Sequence, residues 1–216
     1  MLVIVSHTGT AYCRMVTSAV VVGFCHIIIG ATLMPVVMYC MNQNFKDMHV
    51  PLYVFGFHFF CAEALLFLNY ANGLSTPMRL KHRRAAHGIL QVCGLLCILA
   101  ATIIVYIERG ASGSSHGLTG VVAATLAACS LLSYPLALYG DGSLKLVHIL
   151  MGIPTFIVSS ISLCLGFFTS EFKNWAGDSL VYILTGFVTF YTLVITIKII
   201  LKCCSRMKVT EKWIRR

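Results

Sequence analysis

The sequence predicts an all-α integral membrane protein, a bundle of six helices, and three observations carry that prediction. Of 216 residues, 58% are hydrophobic and only 11% are charged, whereas a water-soluble domain carries about a quarter charged residues. The apolar residues fall in runs near 17–39, 50–72, 87–107, 117–138, 146–168 and 179–202. Each is long enough, at about 1.5 Å per residue, to cross about 30 Å of hydrocarbon. Short stretches rich in Gly, Ser, Pro, Asn and charge separate the runs, as turns at a membrane surface require. Residues 1–216 therefore read as one membrane domain embedded in a lipid bilayer. There is no room for a soluble catalytic domain, so nicotinamide or ATP chemistry would have to come from another molecule.

The first span, about 17–39, is too long and too weakly flanked for a cleaved signal peptide and reads as a retained helix carrying His26. The second opens beside His49 and holds His58 and Glu63. The third follows the basic stretch Lys81-His82-Arg83-Arg84 and begins at His87. The fourth begins beside His116 and contains Pro135, which can bend it. The fifth follows Lys145, carries His148 near its start and contains Pro154. The sixth, about 179–202, is followed by a short tail at 203–216.

The net charge is +9, from 16 Lys and Arg against 7 Asp and Glu. In a membrane chain the placement of that charge sets orientation rather than implying nucleic acid, and no nucleic-acid partner is expected. Six spans put both termini on one face. That face holds thirteen basic residues (Arg14, Arg79, Lys81, Arg83, Arg84, Lys145, Lys198, Lys202, Arg206, Lys208, Lys212, Arg215 and Arg216) against Lys46, Arg109 and Lys173 on the other. Positive charge collects in the cytosol, so both termini of this multi-pass protein are expected there. Whether the membrane is the plasma membrane or an endomembrane or vesicle is not specified by the residues.

The ten cysteines do not form a disulfide framework, because most lie inside spans. Cys93 and Cys97 share a helix face and read as small packing residues, and Cys203 and Cys204 form a juxtamembrane pair of the kind that is palmitoylated.

Four of the eight histidines occupy equivalent places: His49, His87, His116 and His148 stand at or just before the starts of spans two to five. Successive spans run in opposite directions, so these starts alternate between faces. His87 and His148 fall on the terminal face, and His49 and His116 on the other. Facing side chains on bundle helices are the usual way to hold a cofactor in a bundle core. Two stacked imidazole pairs suggest two cofactors in series, and neutral imidazole suits iron. Gly56, Gly94, Gly120 and Gly152 lie within about 20–40° of their histidines' faces, one or two turns deeper, where a flat macrocycle would need a gap. A single histidine at a membrane boundary is ordinarily just an interfacial polar residue. It is the alternation of four that a cofactor-free protein leaves unexplained.

In their order and spacing these residues resemble the cytochrome b561 family, over about 120 residues from His49 to Phe168, and most of all its short domain-containing members. The resemblance rests on His49-Val50-Pro51 leading to Glu63-Ala64-Leu65-Leu66, on Lys81-His82-Arg83-Arg84 preceding His87 and Gln91, on His116-Gly117, and on Lys145-Leu146-Val147-His148. It implies a four-helix dihaem core of helices two to five, about 48–170. Two haems b per chain would be ligated through iron, one by His49 and His116 and the other by His87 and His148. It also implies an oxidoreductase that passes electrons from cytosolic ascorbate to monodehydroascorbate or a ferric chelate, with Lys81, Arg83, Arg84 and Lys145 placed to attract the anion. Family members can pair as homodimers, which these residues do not specify. Longer members carry an arginine-containing motif where this chain has Phe67-Leu68-Asn69-Tyr70, and Ser-Trp after the fourth-span histidine where it has Gly117-Leu118.

Two other classes compete. Glu63, His58 and His26 are intramembrane titratable groups of the kind a small proton or cation transporter uses. In a non-catalytic scaffold the histidines would be interfacial and dispensable. Glu63, fourteen residues after His49, is expected to return near the histidine-bearing face, and His58, nine residues after it, to point the opposite way.

Overall fold

The computed structural model describes residues 9–110, 113–139 and 142–214, with side chains up to Leu201 except at 136, 137, 142 and 143. Cys203, Cys204, Lys202, Arg206, Lys208, Lys212, Arg215 and Arg216 thus lie outside the described side chains. Among the described residues, six helices are long and apolar enough to cross a membrane. We label them α1 (Gly9–Asn42), α2 (His49–Phe67), α3 (Leu80–Arg109), α4 (Ser115–Leu132), α5 (Gly142–Phe167) and α6 (Ser170–Ile214).

The helices end where the chain's local chemistry dictates. α1 closes in a Schellman motif: Asn44, at φ 51°, allows its own N–H to reach Met41 O at 3.0 Å and that of Phe45 to reach Cys40 O at 2.8 Å. Pro51 sits in the first turn of α2, where its missing N–H is not needed. α3 stops at Gly110, whose φ of 70° favours glycine and whose N–H caps Tyr106 O. Ser114 caps α4 by accepting from Gly117 N–H at 3.1 Å, worth about 1 kcal/mol.

Several boundaries differ from those the hydropathy predicts. The fourth span ends at Leu132 rather than 138, because Pro135 cannot continue an α-helix; a short helix, Tyr134–Tyr139, follows. Pro154, by contrast, stays inside α5. The first span runs longer than 17–39, and the last extends beyond both ends of 179–202, with helix continuing through most of the expected tail. Gly177, at φ 75°, breaks α6 about two turns after its start, and just beyond it the carboxylate of Asp178 accepts from Lys173 at 2.9 Å.

α2 packs along α3, α4 along α5, α3 against α4, and α2 touches α5, closing a four-helix core. α1 and α6 pack on each other and cover the α2 and α5 side. The cover helices bury large side chains such as Ile29, Leu184 and Tyr191, whereas α3 follows the membrane pattern of small residues inside and large ones outside. α3 buries Gly88, Gly94, Ile98 and Ala101, while Ile89, Val92, Leu96, Leu99, Ile103 and Ile107 form its outer stripe. Polar clasps join neighbours: Tyr53 to Thr102 at 2.7 Å, Ser160 to Thr192 at 2.8 Å, each worth about 0.6 kcal/mol in a membrane bundle. Arg109 pairs with Asp47, tying the α1–α2 turn to the end of α3.

Within α2, Val54–Cys61 is wound as a π-helix. A π turn holds more residues than an α turn, so faces counted at 100° per residue do not carry through it. Glu63 accordingly does not return to the histidine face. It meets His26 of α1, Oε1 to Nδ1 at 2.8 Å.

The glycines also differ from expectation. Gly56 and Gly94 face one another at the α2–α3 crossing: a Cβ on Gly94 would stand 2.9 Å from Gly56 O, and one on Gly56 3.0 Å from Gly94 O. Their missing side chains admit a helix backbone, not a macrocycle. Gly120 and Gly152 likewise face Ser162 and Ser130 across the α4–α5 contact, although Gly152 also lines the cavity described below.

Candidate functional site at the terminal face

α3 and α5 both start at the terminal face, earlier than the hydropathy predicts, and His87, the eighth residue of α3, meets His148, the seventh of α5. The ring centroids are 6.3 Å apart and the planes are at 88°. Two bonds of about 2 Å from imidazole nitrogens to one metal, with about 1.1 Å from each nitrogen to its ring centre, put the centroids of a bis-imidazole pair about 6 Å apart. The spacing found here is that spacing.

Hydrogen bonds fix which nitrogen faces inward. His87 Nδ1 lies 2.9 Å from Ala64 O, and His148 Nδ1 3.1 Å from Ser130 O. A carbonyl only accepts, so each Nδ1 carries the hydrogen and each Nε2 is left bare, the tautomer of an oriented metal ligand. Ala64 O is free to accept because α2 tightens at its end, where Leu68 N–H bonds to Leu65 O rather than to Ala64 O. Ser130 O is likewise one of the last carbonyls of α4, which lack helical partners.

Two cavities share this pair. A small one of about 50 Å³ lies deeper, walled by Phe57, Leu95, Ile98 and Phe156. A larger one of about 440 Å³ opens toward the terminal face, with Leu65, Ile149, Ile153, Val194 and Ile195 on its sides and Arg84, Lys145 and Lys198 among its polar lining. Tyr134 lies against both imidazoles, with centroids 6.3 Å from His87 and 5.9 Å from His148. Gly88 admits it: a Cβ there would be 2.6 Å from the Tyr134 hydroxyl, which donates to Arg84 O at 3.1 Å.

At the opposite face, His116 Nδ1 donates to Ser162 O of α5 at 2.9 Å, and its ring rests on Gly166, where a Cβ would be 3.0 Å from Cε1. His49 opens α2 at that same face; it is buried, and its Nδ1 has no hydrogen-bond partner. Ser162 lies fourteen residues beyond His148 on α5, about 21 Å along the axis. Between the two levels Phe57, Ile98, Ala123 and Ala127 pack as a dry apolar cluster, with Tyr53 stacked on Phe57 at 5.9 Å.

No group of three or more metal-ligating side chains occurs among the described residues. A bare metal ion needs at least four donors. Two inward-facing nitrogens, an apolar wall and cations at one edge instead fit a metal whose remaining positions a carboxylate-bearing macrocycle fills. The residues fit a haem.

The other expected site residues are distributed unevenly. Arg84 and Lys145 line the cavity and Lys81 does not. Arg83 is 4% exposed; its Nε donates to Phe67 O at 3.1 Å, its guanidinium covers Tyr70 at 4.6 Å, and its buried Nη2 has no partner. Glu63 is taken up by His26. His58 sits elsewhere, accepting from the Tyr191 hydroxyl at 2.8 Å and donating to Ser159 O at 3.4 Å, so the three titratable groups form no single path. Tyr134, Lys198, Gly88 and Gly166 were not legible as site residues, though Gly166, eighteen residues after His148, falls on the same face of α5.

A family profile for eukaryotic cytochrome b561 matches residues 48–174, a stretch containing His49, His87, His116 and His148. The mouse protein named transmembrane reductase CYB561D2 is 29% identical over 158 residues, covering 68% of this chain and 71% of its own. Its human counterpart of the same name is 29% identical over 152 residues, covering 65% and 68%. No solved structure matches the chain. With more than half of its length matched by the profile, this six-helix chain belongs to the eukaryotic cytochrome b561 family.

Proposed function

We propose that the chain is a transmembrane oxidoreductase that passes electrons from cytosolic ascorbate to monodehydroascorbate or a ferric chelate on the other side. One haem b is held by His87 and His148 and a second by His49 and His116. The observation that carries this reading is the 6.3 Å imidazole pair with both Nδ1–H groups committed to carbonyls. When bound, haem supplies reversible one-electron chemistry, and imidazole on both axial positions leaves oxygen no open site.

The chain's own residues do the rest. Ala64, Ser130 and Ser162 fix the rings of three ligands through their carbonyls, which preorganises them and raises their basicity. The Phe57 and Ile98 cluster keeps water out of the space between the two levels. Arg84 and Lys145 draw an anionic reductant to the terminal-face cavity. The excess of basic residues on that face supports its lying in the cytosol.

The test is the spectrum of protein purified from haem-replete cells. Ascorbate should produce reduced b-type bands, pyridine extraction should find two haems per chain, and His148→Ala should leave one. A colourless preparation refutes the reading. Ascorbate-loaded vesicles facing trapped ferric chelate or monodehydroascorbate then identify the acceptor.

A further inference from the structure

We propose that Lys198 of α6 forms, with Arg84 and Lys145, a carboxylate-binding site in the terminal-face cavity; the proposal rests on the electron-transfer reading above. The three cations come from three helices, α6, α3 and α5, and all line the 440 Å³ cavity, whose lining among the described residues includes no Asp or Glu. Among the described residues the ion pairs are His26–Glu63, Arg109–Asp47 and Lys173–Asp178, and none includes any of the three.

A lysine three residues from the end of an apolar span ordinarily extends along the helix to reach water. Lys198 does not. Its Nζ donates to Ser18 Oγ of α1 at 3.1 Å, which holds the half-buried ammonium within the bundle. Like charges gathered at an apolar cavity repel one another in a reduced dielectric, and an anion between them removes that cost. The chemistry recognised is a carboxylate or enediolate. It has two sources: the carboxylate arms of the haem beside His87 and His148, or the anionic reductant itself.

The experiment uses the full chain in lipid nanodiscs, as wild type, Lys198→Met, Lys198→Gln and Lys198→Arg. Haem content is measured first; wild type without haem refutes the electron-transfer reading itself, before any variant is compared. Two readouts follow: the ascorbate concentration giving half-maximal haem reduction, with dithiothreitol as an uncharged reductant for control, and the midpoint potentials from redox titration. If the reductant is the ligand, Lys198→Met and Lys198→Gln raise the half-saturating ascorbate about tenfold, the scale of a lost charge-assisted hydrogen bond, and leave dithiothreitol unaffected. If the haem's carboxylates are the ligand, half-saturation stays and the potential of the His87–His148 haem falls, because a removed cation no longer favours the added electron. Lys198→Arg retains wild-type behaviour in either case. Neutral variants with half-saturation within twofold of wild type and unmoved potentials overturn the proposal.

Discussion

Two glycines on α3 would both bring a new methyl within 3 Å of a neighbour, yet alanine at each should have opposite consequences. At Gly94 the Cβ would stand 2.9 Å from Gly56 O and 3.0 Å from Cys61 Sγ, where ordinary contact begins at 3.4 Å. The oxygen belongs to the backbone of α2, so relief requires α2 and α3 to separate by about 0.5 Å. Overpacking of this kind costs about 1–3 kcal/mol, and a chain of this length loses about 2–4 °C of melting temperature per kcal/mol. The same separation stretches the His87 Nδ1 to Ala64 O bond from 2.9 Å toward the limit of a useful hydrogen bond. At Gly88 the clash is with a single side chain, the Tyr134 hydroxyl at 2.6 Å and its ring carbons at 2.9 and 3.1 Å, which can swing aside without moving a helix. Gly94→Ala should therefore melt several degrees lower and broaden the spectrum of the terminal-face haem. Gly88→Ala should melt close to wild type and change only the bands that report Tyr134's surroundings. Thermal unfolding followed by Soret absorbance, with size-exclusion elution as a check, measures both. A Gly94→Ala protein melting within a degree of wild type, or a Gly88→Ala protein less stable than it, would refute the assignment of Gly94 to helix approach.

Glu63→Leu leaves His26 without its partner and should cost about 1–3 kcal/mol, less than a fully buried pair because His26 is 25% exposed; Glu63→Leu with His26→Leu should recover most of it, and haem content should not change in either. Tyr191→Phe removes the donor to buried His58 Nδ1 and should lower stability by about 1–3 kcal/mol while preserving two haems per chain, as pyridine extraction would show. Gly166→Ala pushes a methyl against His116 Cε1 at 3.0 Å, so redox titration should show one of two haem components displaced and the His87–His148 component unmoved.

What the sequence makes legible is whatever depends on long apolar runs and on topology. The six helices, the common face of the termini and the alternation of His49, His87, His116 and His148 all follow from spacing in a chain that crosses the bilayer repeatedly. What it conceals depends on winding and on neighbours. The π segment Val54–Cys61 has no composition of its own, and it carries Glu63 away from the face counted for it and onto α1. Gly56 and Gly94 lie on the right stripe for a cofactor gap, but spacing along one helix does not tell whether a macrocycle or a second backbone fills the gap. Lys198 counts in the sequence only toward orientation, and its inward turn depends on Ser18, 180 residues away.

One rule would have extended the reading further. In an antiparallel bundle the start of one helix lies beside the end of its neighbour, and helix ends are where carbonyls lack partners. A histidine in the opening turns of a helix is therefore placed to donate Nδ1–H to a carbonyl near its neighbour's end and keep Nε2 bare. His87 finds Ala64 and His148 finds Ser130, each among the last four carbonyls of its helix, whereas Ser162, the acceptor for His116, lies two residues before the last four of α5. His49 is the exception. At its face α1, α3 and α5 end; the Schellman turn of α1 occupies Tyr39, Cys40 and Met41 O, and Gly110 N–H occupies Tyr106 O. Helix capping and histidine orientation draw on carbonyls of the same kind, and the Nδ1 of His49 stays buried with no hydrogen-bond partner among the described residues. Of the two histidine pairs, the one whose rings are both anchored is the one at the terminal face, beside the cavity with the cationic rim.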